Sequence, residues 1–232
     1  MPSDSLFLSE RLTEAARYAL MRRLLPAIRH NIAGALQPIG MMAAMLERRM
    51  LSASPDLPQL GKNSQALNTL SREAVAKSLS LMNWLAPKDN DQVALHDAIE
   101  EVSRMVSTEL SLRGLTFVNQ TEHLQTNLPR GVVRNAFAAC LMALTDSVEG
   151  PAEVVISASV AGNQLQLKVM LAPGGVSELA GFGGRAQSYR SLDWDDAHLL
   201  AKAEGVSLSH DAGGAELLWP LPVIADIPHG PA

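Results

Sequence analysis

Ile28-Arg29-His30-Asn31-Ile32-Ala33-Gly34-Ala35-Leu36-Gln37-Pro38-Ile39-Gly40-Met41-Met42-Ala43-Ala44-Met45-Leu46 decides the fold, because its apolar positions 28, 32, 35, 39, 42 and 46 recur at four- and three-residue steps. That spacing is a heptad-like stripe along one side of an α-helix. Upstream, Leu8, Leu12, Ala15, Ala19 and Leu24 extend it less regularly, so a helix is expected from Ser5 to Met50. At 1.5 Å per residue it runs roughly 60 Å and cannot be stable in isolation. Ser52 to Pro58 reads as a turn. A second helix is expected from about Gln59 to Leu85, with Leu60, Leu67, Leu70, Ala74, Leu81 and Trp84 on one side. It should end before Pro87, since a residue preceding proline avoids helical geometry.

Two antiparallel helices bury little between them, so a homodimeric four-helix bundle is the natural completion; a hairpin packed on the rest of its own chain is the alternative. Two prolines bear on the first helix. Pro38 cannot donate to the carbonyl of Gly34, which predicts a bend there. Pro26 leaves open a separate helix over the first 25 residues.

After Pro87 the pattern changes. Gln92–Leu95 reads as a short strand, His96–Leu112 as a helix stopped by Gly114, and Leu115–Asn119 as a strand. Leu128-Pro129 opens a helix through Val148, with the proline near its first turn. Val154–Val160 and Gln164–Leu171 are β-rich runs around the hairpin signal Ala161-Gly162-Asn163. A glycine-rich loop is expected over Gly174–Gly184 and a helix over Ser191–Glu204. Val206–Ser209 and Glu216–Leu221 form a further strand pair, and the tail beyond Pro222 is expected to fray. The fold class is therefore α+β. A helical hairpin domain over residues 1–88 is followed by a two-layer α/β sandwich over residues 89–232.

Composition narrows the functional classes. The 232 residues are 47% hydrophobic, 19% charged and 4% aromatic, which describes a globular chain. No apolar run is long enough to span a membrane, and Met1 to Glu10 lack the order of a secretory signal, so a cytoplasmic location is expected. The single cysteine, Cys140, builds neither a disulfide framework nor a multi-cysteine metal site, and no metal is expected. A buried helix position accounts for it.

The net charge of −5 conceals an asymmetry. Residues 1–88 hold 11 Lys and Arg against 6 Asp and Glu, a net of +5, and residues 89–232 hold 8 against 18, a net of −10. The basic half suits an acidic protein partner, with a solvated helix face as the plain alternative. Scarce aromatics and overall acidity argue against nucleic acid.

His30 is the residue that points to chemistry. It lies two positions from Ile28 and two from Ile32, about 200° round the helix from each and so off the apolar stripe. Histidine is a modest helix former, but an exposed imidazole with a free ring nitrogen is a good nucleophile near neutral pH. Neighbouring arginines can stabilise a transferred phosphoryl group. A plain surface histidine is the competing reading. His96, His123, His198, His210 and His229 show neither metal-ligand spacing nor comparable placement.

The order of parts, with Arg29-His30-Asn31-Ile32 and then Pro38-Ile39, resembles the phosphotransfer and ATP-binding core of sensor histidine kinases over about residues 10–222. The resemblance implies that His30 is the phosphoacceptor, with Arg29 and Asn31 in support. Asn31 stands where that family has an acid able to act as base, and Ala35 stands at its usual proline. Ala139 and Ala143 fall at the asparagine positions that hold Mg²⁺ and phosphate there, and Leu171 falls at the adenine-reading aspartate. Gly181, Gly183 and Gly184 alone make a weak phosphate cradle.

A kinase-shaped dimer that keeps the histidine and lacks the nucleotide ligands resembles histidine phosphotransferases of the ChpT type. That resemblance implies no ATP or other cofactor and relay between aspartates of response-regulator receiver domains or a hybrid kinase. It also implies docking on Ala33, Gly34, Gln37 and Met41, with Ser78 to Met82 opposite on the second helix. An inert dimeric pseudokinase acting as a scaffold is the alternative, and an enzyme that still uses ATP is a third reading.

Overall fold

A computed structural model describes residues 2–85, 91–148, 150–174 and 191–221. The first helix, α1 (Pro2–Met50), runs without a break through Pro26 and Pro38, so the separate N-terminal helix does not form. Each ring removes one backbone hydrogen bond and leaves the turns on either side intact. The second, α2 (Leu57–Leu85), starts two residues earlier than expected, placing Pro58 inside its first turn. The Asp56 carboxylate accepts from the Gln59 amide at 3.1 Å and satisfies one of the orphan donors there. The expected stop before Pro87, the remainder of the glycine-rich loop after Gly174 and the tail beyond Pro222 lie outside the described residues.

The α/β part follows in the order β1 (Gln92–Ala94), α3 (Leu95–Leu112), β2 (Leu115–Asn119) and β3 (Asn127–Pro129). Next come α4 (Arg130–Val132), a π-helical stretch (Val133–Phe137) and α5 (Ala138–Asp146), which continue one another. Then come β4 (Ala152–Ala161), β5 (Gln164–Pro173), α6 (Trp194–Ala203), β6 (Ser207–His210) and β7 (Gly214–Pro220). The main sheet has the order β2-β4-β5-β7-β6, with β2 and β4 parallel and the other pairs antiparallel. β1 and β3 form a separate two-stranded ladder. Gly162, at φ 62°, turns the β4–β5 hairpin, and Gly114, at φ 82°, ends α3; both are left-handed conformations that glycine adopts without steric penalty.

Alternation orients the sheet. Val154 and Ile156 on β4, Leu165, Leu167 and Val169 on β5, and Leu217 and Trp219 on β7 are buried, while their neighbours Ser157, Gln166, Lys168 and Glu216 are not. One face therefore packs on helices and the other meets solvent. All eight residues from Ala138 to Thr145 on α5 are buried. A helix covered by a sheet alone would keep one face wet, so full enclosure requires a further layer.

The π-helical stretch and α6 adjoin α5. Met1–Arg23 forms one compact unit with Asn90–Ala232, and Leu24–Asp89 forms the other. Within the first unit, Ala16, Ala19, Leu20 and Arg23 are buried. Arg23 donates to Glu109 on α3 (2.7 and 2.5 Å) and to Asp146 on α5 (3.3 and 3.1 Å), and Arg113 donates to Asp146 at 3.0 Å. Burial pulls the Arg23 guanidinium pKa down, but the hydrogen bonds and charges of Glu109 and Asp146 outweigh it and hold the pKa above its ordinary value. A second tie joins Arg17 to Glu204 at 3.4 Å, where Asn135 of the π-helical stretch also donates at 2.7 Å.

In the second unit the heptad stripe of α1 is only partly covered. Ile28 is buried, while Ile32, Ala35, Ile39, Met42 and Leu46 are half-buried. On α2, Asn63, Ala74, Leu81 and Trp84 are buried.

Candidate functional site

His30 sits in the interior of α1, with helix continuing on both sides. It is exposed, and among the described residues no hydrogen bond or ion pair engages it. The local sequence explains the placement, because the stripe that turns Ile28 inward turns residue 30 outward. Arg29 is exposed beside it and Asn31 is half-buried. Ala33, Gly34, Gln37 and Met41 follow at three, four, seven and eleven residues, intervals that return to one face of a helix, and all four are exposed. On α2, Ser78 is half-buried and Met82 is 61% exposed. The arrangement can present an unencumbered imidazole between small and polar side chains. No oxygen-rich cradle accompanies it, and no group of three or more His, Cys, Asp or Glu able to hold a metal occurs among the described residues.

The positions compared with nucleotide ligands have other surroundings. Ala139 and Ala143 lie in the enclosed run of α5. Leu171 pairs in register with Val154 across the β4–β5 ladder. Gly181, Gly183 and Gly184 lie outside the described residues. The N-terminus of α6, a natural place for an anion, is filled by its own chain. The Asp193 carboxylate accepts from the Asp196 amide at 2.9 Å, and Asp195 and Asp196 add further negative charge to the first turn.

Cys140 is fully buried, and burial pushes its thiol up to about 12. The native protein should therefore react with a thiol reagent at pH 8 at least about a hundredfold more slowly than the urea-unfolded chain, a comparison that Ellman's assay makes directly. The sign of the linkage is also fixed. A folded-state pKa above the unfolded one leaves stability intact below about pH 9 and erodes it as pH rises toward 12.

Two features escaped the sequence reading. Arg23 shares the buried face of α1 with Ala16, Ala19 and Leu20, and a charge at core spacing was the available signal for its ion-pair network. The other is an aromatic group. Trp194 on α6 lies flat on His210 of β6, with ring centroids 3.9 Å apart and planes within 2°, and His198 approaches His210 at 5.5 Å. These residues are sixteen and twelve positions apart, joined by the α6–β6 turn, and no local motif announces them.

No helix among the described residues is long and apolar enough to cross a membrane. No family model matches the chain, and no curated protein matches it. Among solved structures it is similar to the Acinetobacter baumannii histidine kinase AdeS (14% identity, 76% of this chain and 92% of that one, TM-score 0.41). It is also similar to a bacterial phosphotransferase (14% identity, 86% and 94%, TM-score 0.35). A third likeness is to histidine kinase ThkA in complex with the response regulator protein TrrA (12% identity, 93% and 65%, TM-score 0.39). At these values the α+β assignment rests on the chain's own elements, a helical hairpin followed by helices on one face of a mixed sheet.

Proposed function

We propose that the chain is a histidine phosphotransfer protein that relays a phosphoryl group between receiver-domain aspartates through His30, without using ATP. The observation that carries this reading is the exposed imidazole of His30 on a long helix, unpaired among the described residues. In the forward step, the unprotonated ring nitrogen of a neutral His30 attacks the phosphorus of a phospho-aspartate. The N–P bond forms as the acyl P–O bond breaks, the aspartate leaves as a carboxylate, and the other ring nitrogen can release its proton to water. The reverse step hands the group to a second aspartate. Little is asked of the protein beyond presenting the ring in line with the leaving oxygen. Arg29 stands beside His30 to offset phosphoryl charge.

Mg²⁺ needs oxygen ligands, and Ala139 and Ala143 supply none. The working form is a homodimer, because the stripe Ile32–Leu46 is incompletely covered within one chain.

The test incubates the protein with a panel of receiver domains phosphorylated by acetyl phosphate. Acid-labile, base-stable label should appear on the wild type and fall at least about a thousandfold in His30→Gln, whose amide is not a nucleophile of comparable strength. Complexes with receivers but no label on any protein would replace relay with the scaffold reading.

A further inference from the structure

We propose that His198 on α6 and His210 on β6 together hold a divalent transition-metal cation of the zinc or copper class. The site uses none of the residues of the relay reading and stands without it. Imidazole nitrogens are natural donors for such ions, and these two rings approach each other with centroids 5.5 Å apart and planes tilted by 50°. The distance fits one shared cation. A nitrogen about 2.0–2.1 Å from a zinc ion puts its ring centroid about 3.2 Å away, and a tetrahedral angle between two such ligands separates the centroids by about 5.2 Å. The tilt fits as well, because two rings stacked in parallel would aim their nitrogens along parallel planes and could not share an ion. His198 is half-buried and His210 exposed, and among the described residues no hydrogen bond or ion pair engages either ring.

The surroundings hold the pair as metal ligands are held. Trp194 lies flat on His210, with centroids 3.9 Å apart and planes within 2°. Such a stack covers one face of the imidazole, limits its rotation and leaves free the edge that carries the nitrogens. Trp194 and His198 are one turn apart on α6, so a single helix places both the brace and the second ligand. His210 ends the outer strand of the main sheet, and ligands on a helix and a strand are fixed better than ligands on loops. The field also favours a cation. Residues 89–232 carry a net charge of −10, from 8 Lys and Arg against 18 Asp and Glu, and the exposed Asp195 and Asp211 adjoin Trp194 and His210 in sequence. No third His, Cys, Asp or Glu is grouped with the pair among the described residues, so water completes the coordination and the ion is exchangeable. Two imidazoles without a carboxylate select this class of ion over Mg²⁺ and Ca²⁺. Once bound, it ties α6 to β6.

Isothermal calorimetry on the untagged full chain should show one Zn²⁺ per chain. Half the ligand set of a structural zinc site contributes about half its binding free energy, which places Kd on the order of 1–200 µM. Cu²⁺ should bind more tightly. His198→Ala removes one ligand, and His210→Phe removes the other while keeping a flat ring against Trp194; each should weaken Zn²⁺ binding at least about tenfold. His123→Gln, at an exposed histidine elsewhere, should leave it unchanged. Cu²⁺ should also quench tryptophan fluorescence, and Trp194→Phe should remove most of that quenching, since Trp84 and Trp219 are buried. No saturable uptake of either ion up to about 1 mM overturns the site. A Zn²⁺ affinity unchanged in both histidine variants assigns the ion to an adventitious surface position and overturns it equally.

Discussion

Arg23→Ala lowers the unfolding free energy by about 3–5 kcal/mol, read as a fall in the urea midpoint at constant slope. The size follows from what stays behind. Arg23 is 4% exposed and bonds two carboxylates, Glu109 and Asp146, the latter 10% exposed. Truncation leaves Glu109, 27% exposed, and the poorly hydrated Asp146 with Arg113 as the remaining cation paired to them among the described residues, and breaking a buried pair from one side carries a cost of about that size. In a chain of this length it corresponds to a fall of roughly 10 °C in melting temperature. A second background isolates the cause. Combined with Glu109→Gln and Asp146→Asn, the same alanine should cost well under half as much, because no carboxylate is then left behind by the loss of Arg23. An equal cost in both backgrounds would mean that Arg23 acts through packing of its stem.

Leu115–Asn119 was legible to the residue, because a β-rich pentamer follows Gly114 directly and has no competing helical period. The β4–β5 hairpin was legible from Gly162 between two alternating runs. The helix opening at Pro129 was placed correctly in outline, but its π-helical stretch was not, since one extra residue in a turn leaves no mark on hydrophobic spacing. β3 spans three residues, too few to show alternation. Pro26 pointed to a break that the helix passes through, because a single lost hydrogen bond leaves the turns on either side intact.

The candidate site was more readable than its frame. His30 lies on a face that the stripe defines by exclusion, so one helix and a count of residues were sufficient to turn it outward. The docking of Met1–Arg23 onto the α/β unit was hidden, since its determinants, Glu109 and Asp146, lie 86 and 123 residues away from Arg23. Long-range ion pairs have no local pattern. The heptad stripe also misled about α1, which changes its buried face along its length: Ala16, Ala19 and Arg23 early, Ile28 later.

Val75→Glu/Leu79→Glu should convert the proposed dimer to monomer at micromolar concentration, as measured by light scattering on an eluting peak. In one chain Leu25, Leu36, Val75, Leu79 and Met82 are 47%, 51%, 59%, 56% and 61% exposed. Leu25 and Leu36 lie roughly 60–80° round α1 from Ile28, and Val75, Leu79 and Met82 roughly 60–120° round α2 from Leu67. On helices running in opposite directions those offsets fall on the same side of the pair, giving one apolar face flanking the half-covered stripe. Such a face is large for a protein with no partner.

A twofold axis presents each substituted position twice, so the double variant removes four apolar side chains and introduces four carboxylates. At about 1.5–3 kcal/mol per buried side chain, the lost burial alone amounts to roughly 6–12 kcal/mol, before any like-charge repulsion. That is enough to move a nanomolar dimer beyond micromolar. Helix content should persist, because glutamate is a good helix former and α2 keeps its contacts through Ala74, Leu81 and Trp84. Labelling of His30 by phosphoramidate should persist too, since His30 projects about 140° round α1 from the face that Leu25 occupies. A variant that remains dimeric would place the seam elsewhere, and a monomeric variant that still relays phosphate at the wild-type rate would show that each hairpin serves its own histidine.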